Sequence, residues 1–451
     1  MAGQIVEDIR TYDEVWPQLM GRLKAARALT DELFQAIVRP EAIYDRPIPE
    51  RHRIIFYLGH LETFDWNLLG LRVLEMESFH PQFDQLFAFG IDPVDGGLPS
   101  DQPSDWPARK EIERYNTQIR QTLDNYLEKV SYEGSNQPLL HHGFILNVAI
   151  EHRLMHAETL AYMLHQLPLE RKFSLEEPRV TVGSPVAPRM IQIPAGIATL
   201  GRPRTSDSGF GWDNEFEVHK IPVPDFAIDA YNVTNRQFLE FIRADGYNDR
   251  TLWSPGDWEW KTQQGIRRPT FWNERDQAWF LRTMFAEIPL PLDWPVYASH
   301  AEAEAYLRWV GKTLPTEAQF HRAAYGTTEG TERKFPWGDE LPDSRHGNFD
   351  FRQWDPAAVG TYPEGNSAFG VADLVGNGWE WTSTPFAPFQ GFKPFPFYPG
   401  YSADFFDGKH YVANGGSSRT AACLLRRSFR NWFQPHYPYV YAKFRGVVNQ
   451  P

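Results

Sequence analysis

The sequence predicts a two-domain α+β protein, with a four-helix bundle over residues 1–175 and a loop-rich α+β domain over residues 187–451. Three observations predict it. Long stretches before residue 167 repeat apolar residues at three- and four-residue spacing, the period of a helix with one buried face. After residue 189 that period fades, and short apolar runs are broken by Gly, Pro, Asn and Asp. A chain of 451 residues also exceeds what one hydrophobic core usually serves.

The helices follow in order. Residues 14–38 carry the first. Pro49-Glu50 opens a second through RHRIIFYLGHLETFDWNLLGLRVLEM, because proline is tolerated in a first turn where its missing N–H would have no partner. Trp106-Pro107 opens a third, and residues 139–167 form a fourth. Four long helices predict an up-and-down bundle with a long connection around residues 77–105. Residues 168–189 are rich in proline and charge and read as the linker. Beyond it, helices are expected over residues 235–244 and 300–310, among few and short strands.

Composition removes several function classes. A formal net charge of -13 disfavours nucleic acid as a partner, because phosphate binding needs a basic surface. The single cysteine, Cys423, cannot form an internal disulfide. The first residues, MAGQIVEDIRTYDEVW, lack the apolar run of a signal peptide, and no stretch approaches the ~18–20 apolar residues that span a bilayer. A cytoplasmic protein acting on small molecules is expected, with neither nucleic acid nor membrane as partner. Aromatic residues make up 15%, including 16 Trp, enough to build deep aromatic pockets as well as core.

The sharpest constellation is His152-Arg-Leu-Met-His156, two histidines one helical turn apart and so on one face. His60, in Gly59-His60-Leu61-Glu62, lies on a second helix, and facing helices of a bundle bring side chains to one ion in the core. Three neutral imidazoles suit a first-row metal and leave positions open for oxygen and substrate. Zinc fits the same donors. Asp65, about one turn beyond His60, is placed to orient a ligand, whereas Glu158, two residues past His156, points to another face. His141, His142 and His165 lie nearby as surface or core residues.

His152-xxx-His156-x-Glu158, with Leu58-Gly59-His60 upstream, resembles the HxxxHxE signature of DinB-like bundles, which also include thiol transferases. The second half carries Ile193-Pro-Ala-Gly196, Gly311-Lys-Thr-Leu-Pro-Thr-Glu-Ala318, Phe335-Pro-Trp-Gly338, Asn377-Gly-Trp-Glu-Trp381, Gly415-Gly416-Ser417 and Phe444-Arg-Gly446. Together these resemble the formylglycine-generating-enzyme-like, C-type-lectin-like fold over roughly residues 187–449. That fold hosts many functions. Formylglycine-generating enzymes use a pair of cysteines after Gly-Gly-Ser, and GGSSRTAACLLRRSFRN holds only Cys423, which argues against formylglycine formation.

The two halves in series resemble the sulfoxide synthases of ergothioneine and ovothiol biosynthesis over nearly the whole chain. The resemblance implies an iron(II) enzyme that uses O2 to join a thiol sulfur to the imidazole carbon of a histidine derivative, hercynine in the ergothioneine branch, giving a sulfoxide. It implies His60, His152 and His156 as iron ligands, with most of the substrate pocket on the second domain. It assigns Asn431 and Trp432, within Arg-Asn-Trp, to hercynine, whose quaternary ammonium suits an aromatic face. It assigns Arg109 to the sulfur donor, where a guanidinium can hold an anion. Three substrate-site positions depart from the common pattern. Phe389 stands where many members have a proton-supplying tyrosine, Phe433 where γ-glutamylcysteine users have Asp, and Met155 where Gln commonly precedes the last ligand. The departures point to another donor: free cysteine, another thiol, or a selenosugar, as in selenoneine synthases, giving a selenoxide. Tyr115, Tyr398 and Tyr437 are candidates for the missing proton source, and no catalytic residue is assigned. A metal-dependent thiol transferase, a non-catalytic binding protein and an ovothiol-type enzyme stay open as alternatives.

Overall fold

A computed structural model describes residues 12–90, 98–129, 138–173, 185–205 and 209–449. The chain divides into two compact units, Met1–Leu175 and Glu176–Pro451. Much of the expected linker, residues 174–184, lies outside the described residues.

Among its described residues the first unit holds five α-helices: α1 (Tyr12–Glu32), α2 (Ile54–Asp65), α3 (Pro81–Phe89), α4 (Arg109–Leu127) and α5 (Phe144–His165). The four long helices of the sequence reading are present, with shifted ends. α1 runs into a π-helical turn, Leu33–Ile37, and α2 into another, Trp66–Val73. The helix expected from Pro49-Glu50 begins only at Ile54. Arg53, in extended backbone before it, gives its guanidinium to Asp101 and to the Tyr44 carbonyl, which holds the segment as a turn. The expected long connection contains α3, a short helix with Pro81 in its first turn. Residues 138–143 form a 3-10 turn ahead of α5, and Gly143 takes φ 64° at the junction, a left-handed value that favours glycine.

Burial explains the packing. α4 is amphipathic, burying Ile112, Tyr115, Ile119, Leu123 and Leu127 at three- and four-residue steps. α5 is buried on nearly every face, as the central helix of a bundle must be. Beside α5 runs a layer of charge. Arg153 of α5 is fully buried and donates to Glu62 at 2.9 Å, Asp65 at 2.8 Å and the Leu61 carbonyl at 2.8 Å, all on α2. Arg120 of α4 bridges Glu62 at 2.5 Å and both oxygens of Asp31 at 2.7 Å, and Arg27 of α1 reaches Asp124 at 2.7 Å. Four helices are thereby tied in one polar layer. Burial works against the charge of Glu62, but the Arg153 and Arg120 guanidinia outweigh it and hold its pKa down at about 2.

The second unit is an α+β fold of short strands. β1 (Met190–Ile193) and β4 (Phe226–Asp229) pair antiparallel, and β12 (Val447–Asn449) returns from the far end of the chain to the other side of β4, Val447 opposite Ile228. β2 (Gly196–Leu200) and β3 (His219–Val223) form a ribbon, and β5 (Trp272–Arg275), β6 (Ala278–Arg282) and β7 (Glu287–Pro289) a meander. The fourth sheet has the order β10 (Asn431–Phe433), β9 (Tyr411–Asn414), β8 (Trp379–Pro385), β11 (Ala442–Lys443), with β11 parallel to β8. Its helices are α6 (Asn235–Arg243), α7 (Pro255–Gln263), α8 (His300–Trp309) and α9 (Glu317–Tyr325). α6 and α8 are the two helices expected. The Asn-Gly-Trp-Glu-Trp run is scaffold: Trp379, Glu380 and Trp381 are buried, and Glu380 is held by Arg445 at 2.6 and 3.0 Å and by Asn232 at 2.9 Å. Among the described residues, no helix is long and apolar enough to cross a membrane.

Candidate metal centre

α2 and α5 bring three histidines together. His152 and His156 project from one face of α5, and His60 meets them from α2. Their nearest ring nitrogens all lie within 4.8 Å of one another, with His60 Nε2 3.2 Å from His156 Nε2. His60 Nδ1 is 2.7 Å from the carbonyl of Phe87, so the N–H sits on Nδ1 and Nε2 keeps its lone pair. Phe64, four residues past His60, lies flat on His152, with ring centroids 3.4 Å apart. Phe56, four residues before His60, stacks on it at 4.8 Å. Phe64 thus covers one face of the His152 ring and Phe56 one face of the His60 ring.

Electrostatics make the cluster a ligand set rather than a cation. Burial holds the pKa of His60 down at about 4 against the Phe87 hydrogen bond, with His52 and Arg153 adding to the lowering. His152 and His156 are held well below the ordinary value by burial first, then by neighbouring imidazoles and Arg153. All three are neutral at neutral pH, as metal binding requires. Among the described residues, His156 Nδ1 is buried without a hydrogen-bond partner. His60 and His156 are only partly buried, which leaves an open side for further ligands. Among the described residues no carboxylate or thiol joins the three, so the donor set is three neutral nitrogens. Such a set fits a divalent first-row metal.

The other residues singled out by sequence fall as follows. Asp65 does not orient a histidine: its carboxylate is bonded to Arg153, which outcompetes an imidazole for it. Met155 precedes His156 on α5, half-buried, and Glu158 is buried. The side chains of His141 and His142 lie outside the described residues, and His165 is buried at the end of α5. Arg109 is the first residue of α4 and pairs with Glu113 at 2.7 Å. The pair is partly exposed, 29% and 46% of the two side chains, and an i,i+4 helix pair of this kind contributes only about 0.3–0.5 kcal/mol. Tyr115 donates its hydroxyl to Asp84 at 2.5 Å, and burial and Asp84 raise its pKa far above the ordinary value.

In the second unit, Asn431, Trp432 and Phe433 form the edge strand β10, all half-buried. Trp432 lies flat on Phe386 at 4.2 Å. The Arg430 guanidinium covers both Phe386, at 5.0 Å, and Phe389, at 4.1 Å, and is anchored by Glu317 at 2.8 and 3.2 Å. The structure thus gathers Trp432, Phe386, Arg430 and Phe389 into one stack, and Phe389 serves in it as a ring under a cation. Phe433 meets Trp381 edge-on at 6.0 Å and lies parallel to Tyr437 at 6.4 Å. Tyr398 is pushed up to about 12 by burial and then by Asp213. Sequence reasoning missed Phe56, Phe64, Phe386 and Arg430. The first two were signalled by their four-residue spacing from His60.

Known proteins match both units. The model of the DinB superfamily matches residues 22–160, and that of the sulfatase-modifying factor enzyme 1-like domain matches residues 178–450. The chain is 33% identical to the hercynine oxygenase of Mycolicibacterium smegmatis, covering 91% of this chain and 96% of that one. It is 36% identical to the hercynine oxygenase of Mycolicibacterium thermoresistibile, covering 67% of this chain and 68% of that one. It is 28% identical to ergothioneine biosynthesis protein 1 of Neurospora crassa, covering 94% of this chain and 57% of that one.

Proposed function

The chain belongs to the hercynine oxygenase family, and we propose that it joins a sulfur or selenium donor to the imidazole carbon of hercynine with O2, as a sulfoxide or selenoxide synthase of ergothioneine or selenoneine biosynthesis. The observation that carries this reading is the convergence of His60, His152 and His156. We assign iron(II) to them, residues 1–175 to the metal-binding domain and residues 187–451 to the second domain. Iron(II), when bound, supplies reducing electrons for O2 and open positions for ligands.

The chain's own residues do the rest. The three neutral imidazoles hold the ion, and Phe56 and Phe64 shield one face each of His60 and His152. Arg109 holds an anionic group of the donor by giving up its pair with Glu113. Trp432, backed by Phe386, offers the exposed part of its indole to the trimethylammonium of hercynine, and Asn431 offers an amide to its carboxylate. Phe433 carries no carboxylate for the ammonium of an amino-acid donor. That favours a donor lacking that group, a selenosugar among them.

Two measurements test this. Trp432→Ala removes a cation–π face of about 0.5–2 kcal/mol, so the KM for hercynine is expected to rise roughly 2- to 30-fold while that of the donor holds. An unchanged hercynine KM removes Trp432 from the substrate site. The iron-loaded enzyme, given hercynine and in turn cysteine, γ-glutamylcysteine and a selenosugar, is expected to release an adduct of hercynine by mass. If every donor leaves hercynine unmodified, the chain does not make this bond.

A further inference from the structure

The bond that orients His60 comes from α3, a helix that holds no metal ligand. The last carbonyls of a helix have no partner within it. Phe87 lies in the last turn of α3, and its carbonyl accepts the His60 Nδ1–H at 2.7 Å. The negative end of the α3 dipole also faces that N–H, which favours a basic, metal-ready Nε2.

α3 is held there by a small polar knot. Asp84, one turn before Phe87, accepts the Tyr115 hydroxyl of α4 at 2.5 Å and also bonds Ser78. Thr63, three residues past His60 on α2, donates to the same tyrosine oxygen at 3.3 Å. Asn67 donates to the Asp84 carbonyl at 3.1 Å. Asp84 and Tyr115 are both buried, so their bond is dry. Close approach needs one more feature. Gly59, just before His60, faces the Phe87 ring, and a Cβ at that position would overlap it.

We infer that α3 is the brace that sets the ligating orientation of His60, with Tyr115, Asp84 and Gly59 as positioning residues for the metal centre. This rests on His60 being a metal ligand. Tyr115 then works through Asp84 and Phe87 and does not supply a proton.

The test is anaerobic titration of the full-length, metal-free protein with iron(II), and with cobalt(II) for its ligand-field spectrum. Tyr115→Phe, Asp84→Ala and Gly59→Ala are each expected to raise the Kd by about 10- to 100-fold, the usual consequence of disturbing a bond to a ligating histidine, and to shift the cobalt spectrum. Asp84→Asn, which still offers an acceptor to Tyr115, is expected to restore most of the affinity. Asn116→Ala breaks a 2.8 Å bond from α4 to the Leu58 carbonyl without touching α3, and is expected to leave the Kd unchanged. Unchanged Kd values in Tyr115→Phe and Gly59→Ala overturn the brace, as does an equal loss in Asn116→Ala. If Gly59→Ala does not fold, Tyr115→Phe decides alone. His60→Ala separates the two levels: parental affinity there removes His60 from the site and overturns the ligand assignment as well.

Discussion

The His152→Ala protein is expected to lose its metal and, with it, hercynine-dependent oxygen uptake. His152 is the buried member of the three histidines, closed on one face by Phe64 at 3.4 Å. No side chain of the described residues within the cluster can take its place, because the cluster consists of His60, His152 and His156 alone. Two imidazoles bind a divalent ion far more weakly than three. The loss of affinity is therefore expected to exceed the ~10- to 100-fold that follows from disturbing an outer hydrogen bond. Metal content after gel filtration and oxygen uptake with hercynine are the readouts. Deleting this buried ring leaves a cavity that lowers stability, so circular dichroism of the variant is compared with the parent's to check its fold. Parental metal content in this variant would move the site elsewhere.

The largest effect on stability is expected at Arg153, the residue after that ligand. Arg153→Met fills similar space without the charge. Among the described residues, Asp65 would keep Arg27, 3.9 Å away, and Glu62 would keep Arg120 and the more distant field of Arg27. Removing one partner of a buried ion pair costs about 3–5 kcal/mol, because the other charge stays in low dielectric. That is a large share of the ~5–15 kcal/mol by which native proteins are stable. Denaturant unfolding of the metal-free protein measures it, and adding Asp65→Asn should recover part of the loss. A change near zero would mean that the polar layer is solvated and does not hold the bundle together.

The sequence made the four long helices and the histidine set readable for a simple reason. Each signal was local: one helical period, or two residues one turn apart. The start of α2 was misread because Arg53 is held by Asp101, 48 positions away in sequence, and no local signal reports that bond. α3 was hidden inside a connection by its brevity. The starts of α7 and α9 are legible as local caps: Ser254 caps α7 ahead of Pro255, and Thr316 forms a capping box with Gln319 at the start of α9. At the metal centre, Asp65 looked like an orienting carboxylate by spacing alone. The orienting acceptor is instead a backbone carbonyl, that of Phe87, which no side-chain pattern encodes. In the second unit, the stack of Trp432, Phe386, Arg430 and Phe389 joins residues from two segments, and the sequence named only its two ends.

The role proposed for the three histidines is to hold iron(II) for oxygen chemistry on hercynine. The most direct measurement is oxygen uptake by protein loaded anaerobically with iron(II), given a sulfur or selenium donor, with and without hercynine. Uptake that requires hercynine, tracks bound iron and disappears in His152→Ala is the predicted result. Bound iron with no hercynine-dependent uptake for any donor, or uptake undiminished in His152→Ala, would contradict it.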